Sequence, residues 1–115
     1  MNSLIVRRKT DNDIEQIGLL LNELGYQISC EKLAKQLHHY RAPESIVLVA
    51  ECQESNNIAG LTSGHVIPLL HQSGFLGRVT AMIVSADSQG NGIGSKLLNE
   101  LETWFSDNQL SLIHI

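Results

Sequence analysis

Residues 82–98, Met-Ile-Val-Ser-Ala-Asp-Ser-Gln-Gly-Asn-Gly-Ile-Gly-Ser-Lys-Leu-Leu, constrain the chain more than any other stretch. An apolar run from Ala81 to Val84 ends in polar residues, and Gln89-Gly90-Asn91-Gly92-Ile93-Gly94 then opens an apolar-periodic segment. This reads as a strand, a glycine-rich turn and a helix N-terminus. Glycines at alternate positions leave main-chain N–H groups unshielded, so a ligand can come close to the backbone. The first N–H groups of a helix lack intrahelical partners and sit at the positive end of its dipole. Together they suit a phosphate or pyrophosphate. The string Gly-x-x-x-x-Gly-Lys-Ser/Thr of a Walker loop does not occur. A dinucleotide fingerprint belongs early in a βαβ unit, whereas these glycines fall late and follow what reads as hairpins. A helix start that uses its glycines only for packing is the plain alternative.

In chain order, Leu4-Ile5-Val6 with Arg7-Arg8-Lys9 predicts a short strand, its basic run on a solvated strand end. Thr10, with Asp13 three residues on, resembles a capping box at the start of a helix over 12–24. Ile14, Ile17, Leu21 and Leu24 share a face of that helix, with Leu20 beside it, and Gly25 stops it. Tyr26-Gln27-Ile28 connects to a second helix that Ser29 can cap. It carries Leu33, Leu37 and Tyr40 on one face and ends before Pro43. The β-branched run Ser45–Glu51 predicts a strand, and Gln53–Asn57 a hairpin turn. Ile58–Leu70 is a further strand in which Gly60 and Gly64 suggest a bulge or bend. After a turn at His71–Gly74, Phe75–Val84 completes an antiparallel meander with strands at 46–51, 58–70 and 75–84. The last helix, 93–106, lines up Ile93, Leu97, Leu101, Trp104 and Phe105 as core and ends at Ser106-Asp107-Asn108.

Gln89, Gly92 and Gly94 match the pattern Gln/Arg-x-x-Gly-x-Gly/Ala. With this order of elements, residues 4–109 resemble the GCN5-related N-acetyltransferase (GNAT) superfamily. The resemblance implies an α/β, GNAT-type acyl-CoA N-acyltransferase fold, with a mixed, mostly antiparallel central sheet and flanking helices. It implies that main-chain groups of Met82, Ile83 and Val84 pair with the pantetheine arm of acetyl-CoA. Gln89, Gly90, Asn91, Gly92, Ile93, Gly94 and Ser95 are then the residues around the pyrophosphate, and the helix pair walls the acceptor site. The implied activity is acetyl transfer from acetyl-CoA to a primary amine of a small-molecule or peptide acceptor, with the Val84 N–H polarising the thioester. Thr80 stands where many relatives carry glutamate. Glu51 and His65 remain as candidate bases, but each reads as an ordinary strand-end or solvent-facing residue, so no catalytic side chain is assigned. A noncatalytic CoA-binding or regulatory module is the alternative function, and a Rossmann-type nucleotide module a third.

Members of that superfamily continue with another strand, a helix and two more strands, so residues 1–109 read as a C-terminally truncated domain. The strand at 75–84 and the next are expected to splay apart, with acetyl-CoA entering the V. Leu110-Ser-Leu-Ile-His-Ile115 is also what a transposon end sequence used in library preparation encodes in one frame. Residues 110–115 are therefore expected to be adapter read-through, with a genuine fifth strand as the alternative. Apolar surface that the missing parts would cover is expected to make the isolated chain poorly soluble or oligomeric, a homodimer included, and inactive, while the parent protein is active.

Composition narrows the classes further. The 115 residues suit one domain, and 43% hydrophobic with 17% charged residues suits a folded core. A net charge of −4 with no basic stripe argues against a nucleic-acid partner. No apolar run approaches a membrane span and no signal peptide opens the chain, so neither a membrane partner nor export is expected. Cys30 and Cys52 read as reduced thiols, which with the rest points to a cytoplasmic protein. His38, His39, His65, His71 and His114 lack ligand-spaced partners, so no metal is expected.

Overall fold

The computed structural model describes residues 4–40, 45–68, 75–90, 92–107 and 111–113. The sequence-stretch readings at Pro43, Leu70, His71–Gly74, Asn91, Asn108, Leu110, His114 and Ile115 lie outside them. The elements follow as β1 (Leu4–Arg8), α1 (Ile14–Glu23), α2 (Cys30–Leu37), β2 (Ser45–Cys52), β3 (Asn57–Pro68), β4 (Phe75–Val84), α3 (Ile93–Asp107) and β5 (Ser111–Ile113). The sheet order is β1-β2-β3-β4-β5; the first four strands pair antiparallel and β5 lies parallel to β4. The expected antiparallel meander of β2, β3 and β4 is present.

Two helical layers cover the sheet, and the alternation of β2 shows how. Ile46, Leu48 and Ala50 pack with Ile93, Leu97, Leu101 and Phe105 of α3. Val47 and Val49, pointing the other way, pack with Ile17 and Leu20 of α1 and Leu33 and Leu37 of α2. A strand buried on both faces needs a continuous apolar run rather than an alternating one, which Ile46–Ala50 supplies. Each fully buried aliphatic or Phe side chain contributes roughly 1.5–3 kcal/mol.

Local signals end the helices as expected. Gly25 adopts φ 94°, and Tyr26 N donates to Leu21 O at 2.9 Å, closing α1 through a left-handed residue. Ser29 Oγ accepts from Lys32 N at 3.2 Å and starts α2. That helix is shorter than expected: it stops at Leu37, and His38, His39 and Tyr40 follow as turns closed on Ala34, Gln36 and Leu37 carbonyls.

Gly60 and Gly64 correct the sequence reading in part. Register shifts do occur beside them, at Ala50/Glu51 opposite β3 and at Ser63/Gly64 opposite β4. Their larger role is contact with α3. A Cβ on Gly60 would lie 3.2 Å from Ile93 and Leu97 side chains, and one on Gly64 would lie 2.8 Å from Phe105 Cζ. Gly77 on β4 is tighter still, with Phe105 Cδ1 at 2.5 Å from such an atom. The Phe105 ring lies on bare backbone.

Arg7 corrects the expectation of a solvated basic run. Its guanidinium donates to both oxygens of Asp13 at 2.8 and 2.9 Å and through Nε to Glu51 at 3.1 Å. Asp13 also accepts from Thr10 N at 2.8 Å, the acidic half of the expected capping box, and its side chain is only 8% exposed. Arg7 thereby joins β1, the start of α1 and β2. Its hydrogen bonds, opposed by desolvation, hold the Asp13 carboxyl below the usual carboxylate range.

Two predictions follow from these contacts. Gly77→Ala should destabilise the fold by about 1–3 kcal/mol through overpacking, and adding Phe105→Leu should recover part of the loss in chemical denaturation. A single variant as stable as the parent would contradict the close approach. Because the folded Asp13 pKa is depressed, its contribution is present above the unfolded value near 4 and is lost as pH falls through the lower folded value. Asp13→Asn should therefore cost about 1–3 kcal/mol at pH 7 and flatten the acid limb of the stability–pH curve; equal acid limbs would refute the pairing.

Candidate functional site

The end of β4 and the beginning of α3 enclose a hollow of about 340 Å³, lined by Val84, Ser88, Gln89, Gly90, Gly92, Ile93, Gly94 and Ser95. Between the two elements the chain makes a 3₁₀ turn at Ala86–Ser88. Gly90 and Gly92 have φ 88° and 77°, conformations that a side chain strains, and a Cβ at either would meet nothing within 4 Å. These two glycines are required by backbone geometry and leave open space. Gly94 has no such φ, and its absent Cβ would make ordinary contact with Val84 at 3.8 Å.

Lys96 N donates to Gly92 O at 3.0 Å, the first turn of α3. The N–H groups of Ile93, Gly94 and Ser95 therefore have no acceptor inside the helix, and they lie at the positive end of its dipole. Gln89 contributes differently from its neighbours: its Nε2 donates to Val84 O at 3.3 Å and folds the loop against the strand end. Among the described residues no Lys or Arg side chain lines the hollow, so the donors available to an anion there are main-chain N–H groups and the uncharged side chains of Ser88, Gln89 and Ser95.

A larger hollow, of about 480 Å³, is lined by Glu15, Gln16, Leu19, Leu20, Glu23, Asn57, Ile58, Ser85 and Asp87. Its three carboxylates disfavour an anion, so size does not identify the phosphate-type site. The smaller hollow at the helix N-terminus, lined among the described residues by uncharged groups, is physically better suited to an anion.

β4 offers a second feature. β5 pairs with it only at Leu76, Gly77 and Arg78, so among the described residues nothing pairs with the outer edge of β4 from Val79 to Val84. Ser85 N donates to Ala59 O at 2.8 Å, toward β3. By the alternation of a strand, the Val84 N–H faces the open edge. Met82 and Ile83 lie further along β4 and do not line the hollow: by the same alternation the Met82 main chain faces the open edge and that of Ile83 faces β3, Met82 is 38% exposed, and Ile83 packs toward α1 and α2. The structure thus brings together Val84, Gln89, Gly90, Gly92, Ile93, Gly94 and Ser95 of the expected residues, adds Ser88, and places Met82 and Ile83 further along the strand.

The candidate bases lie elsewhere. Glu51 accepts from Arg7 and sits on β2, two strands from β4. It is an ion-pair partner rather than a solvent-facing residue. His65 is half-buried: its Nδ1 lies 2.6 Å from Ser45 Oγ, Tyr40 packs on its ring at 4.6 Å, and burial lowers its pKa. Thr80 Oγ1 is 2.7 Å from Ser63 Oγ, beside the register shift of β3 and β4. None of these side chains lines the hollow. Among the described residues no group of three or more His, Cys, Asp and Glu is arranged to hold a metal ion, and no helix is long and apolar enough to cross a membrane.

Solved structures share this architecture. A GNAT family acetyltransferase from Staphylococcus aureus superposes with a TM-score of 0.84 at 22% identity, covering 97% of this chain and 84% of that one. Glucosamine-6-phosphate N-acetyltransferase from Arabidopsis thaliana gives 0.84 at 19% identity, with 98% and 82% covered. An acetyltransferase from Trypanosoma brucei gives 0.85 at 20% identity, with 98% and 82% covered. At these identities the likeness is one of fold. No curated protein matches the chain by sequence. The family assignment comes from the sequence pattern itself: the model of the acetyltransferase (GNAT) family matches residues 14–115, and the chain belongs to that family.

Proposed function

We propose that this protein transfers an acetyl group from acetyl-CoA to a primary amine of a small-molecule or peptide acceptor. The observation that carries the reading is the uncharged hollow where the unpaired N–H groups of Ile93, Gly94 and Ser95 meet the open edge of β4. The fit is physical. Gly90 and Gly92 leave the space a diphosphate needs, and the helix dipole favours its charge. The edge of β4 at Met82–Val84 can take an extended amide-bearing arm as a sheet takes an added strand.

Acetyl-CoA supplies the activated acyl group as a thioester. Residues Ile93–Ser95 hold its phosphates, Gln89 keeps the loop folded on Val84, and the outer edge of β4 orients the arm. The Val84 N–H faces that edge and is suited to donate to the thioester oxygen as negative charge develops there. The attacking amine must first lose a proton. Thr80, bonded to Ser63, is no base at neutral pH, so in this reading water takes that proton, the amine nitrogen bonds to the acyl carbon, and the C–S bond breaks to release the CoA thiolate, which takes a proton from water. The same observation favours a second reading, a noncatalytic CoA-binding module.

Ser95 gives a test with opposed signs. Ser95→Asp places a carboxylate in the first turn of α3, which stabilises a helix by about 0.3–1 kcal/mol but repels a phosphate in the hollow. The variant should melt no lower than the parent and bind CoA at least about tenfold more weakly, a loss of about 1.4 kcal/mol, by calorimetry. Unchanged CoA affinity would remove the site. Turnover of acetyl-CoA by the parent against an amine panel separates the two readings: transfer supports the enzyme, and CoA binding without transfer supports the module.

A further inference from the structure

We propose that Glu23 is a positioning residue for the anion loop, holding from α1 the segment that delivers the glycine turn to α3. The inference rests on the acyl-CoA reading of that loop. Glu23 is the last residue of α1, and its Oε2 accepts from Ala86 N at 2.8 Å and from Ser85 Oγ at 3.1 Å. Ser85 and Ala86 are the first residues after β4, and Ala86 opens the 3₁₀ turn that leads to Gln89.

The other bonds described for this segment come from the meander or the loop itself. Ser85 N donates to Ala59 O, Ser88 N to Ser85 O, and Gln89 Nε2 to Val84 O. Glu23 is the tether from another layer of the fold, across 63 residues of sequence. A carboxylate accepting a main-chain N–H at the start of a 3₁₀ turn does what an N-cap does for a helix. Here the cap is borrowed from α1, so the placement of the glycine turn depends on where α1 ends.

The proposal sets two effects of Glu23 against each other. Its charge, like those of Glu15 and Asp87 along the same larger hollow, repels a nearby phosphate through solvent with a reach of about 10 Å. Its hydrogen bonds order the loop that receives the phosphate. If charge dominated, neutral variants would bind CoA more tightly; if positioning dominates, truncation weakens binding and an isostere does not.

The experiment measures CoA binding by the full chain and by Glu23→Ala, Glu23→Gln and Glu23→Asp. Melting temperature and exchange of the Ala86 amide are read alongside. Glu23→Gln keeps a carbonyl oxygen for Ala86 N–H and should bind CoA within about twofold of the parent. Glu23→Ala should raise Kd about five- to tenfold, the scale of one lost hydrogen bond of ordinary strength. Its Ala86 amide should exchange faster while global melting stays unchanged, a pattern that general destabilisation does not give. Glu23→Asp keeps the charge but is one methylene shorter; it should weaken binding in the same direction and carries the test if Glu23→Ala fails to fold. Glu23→Ala binding as tightly as the parent or tighter, or losses equal in Glu23→Ala and Glu23→Gln, would overturn the proposal. Absence of CoA binding in the parent would overturn the acyl-CoA reading and this inference with it. Parent-like affinity in Glu23→Ala beside normal parent binding would overturn this inference alone.

Discussion

A helix can lie as close to a sheet as α3 does only where the sheet carries no side chains beneath it. Gly60, Gly64 and Gly77 clear that ground, and Phe105, Leu101, Leu97 and Ile93 occupy it. Interiors packed to this density transmit small displacements rather than absorbing them. The seating of Phe105 near one end of α3 and of Ile93 near the other fixes the axis of the helix. That axis aims the free N–H groups of Ile93–Ser95 at the end of β4. The hollow at the N-terminus of α3 is therefore a consequence of core packing, with the glycine turn as its local adjustment.

The opposite layer is tied in by polar contacts. Arg7 binds the start of α1 to β1 and β2 through Asp13 and Glu51. Gln16 continues the seam, accepting from Ile58 N at 2.8 Å and donating to Asn56 O at 3.1 Å. Glu23 closes it at the other end of the helix, on the loop after β4. α1 is thus linked through its length to β1, β2, the start of β3 and the loop after β4, by hydrogen bonds in which nearly every partner is main chain or an oppositely charged group.

Much of this was legible in the sequence because it depends on local chemistry. The continuous β-branched run of β2, the Ser29 cap, the Gly25 stop and the strand–turn–helix signal around Gly92 each need only neighbouring residues to be read. The departures share a different cause. Arg7 reads as one member of a basic run because its partner Glu51 is 44 residues away. Gly60 and Gly64 read as strand irregularities because the α3 side chains that need the space, Ile93 and Leu97 over Gly60 and Leu101 and Phe105 over Gly64, are remote in sequence. Glu23 carries no local signal, being an ordinary polar residue in a last helical turn. Of the expected site residues, Met82 and Ile83 rest on resemblance rather than on their own chemistry, and they lie further along β4 than the residues that line the hollow. Ser88 joins its lining through the 3₁₀ turn, which no periodicity announces.

The receptor proposed for acetyl-CoA is a single site made by the N-terminus of α3 and the adjoining edge of β4. The most direct test is a titration of the isotopically labelled protein with CoA, followed through its backbone amide resonances. Saturable shifts concentrated at Val84, Gln89, Gly90 and Ile93–Ser95, with the β2–β3 turn at Gln53–Asn56 unmoved, are the predicted result. Shifts centred instead on Glu15, Leu19 and Asn57 in the larger acidic hollow, or no saturable shifts at all, would contradict it.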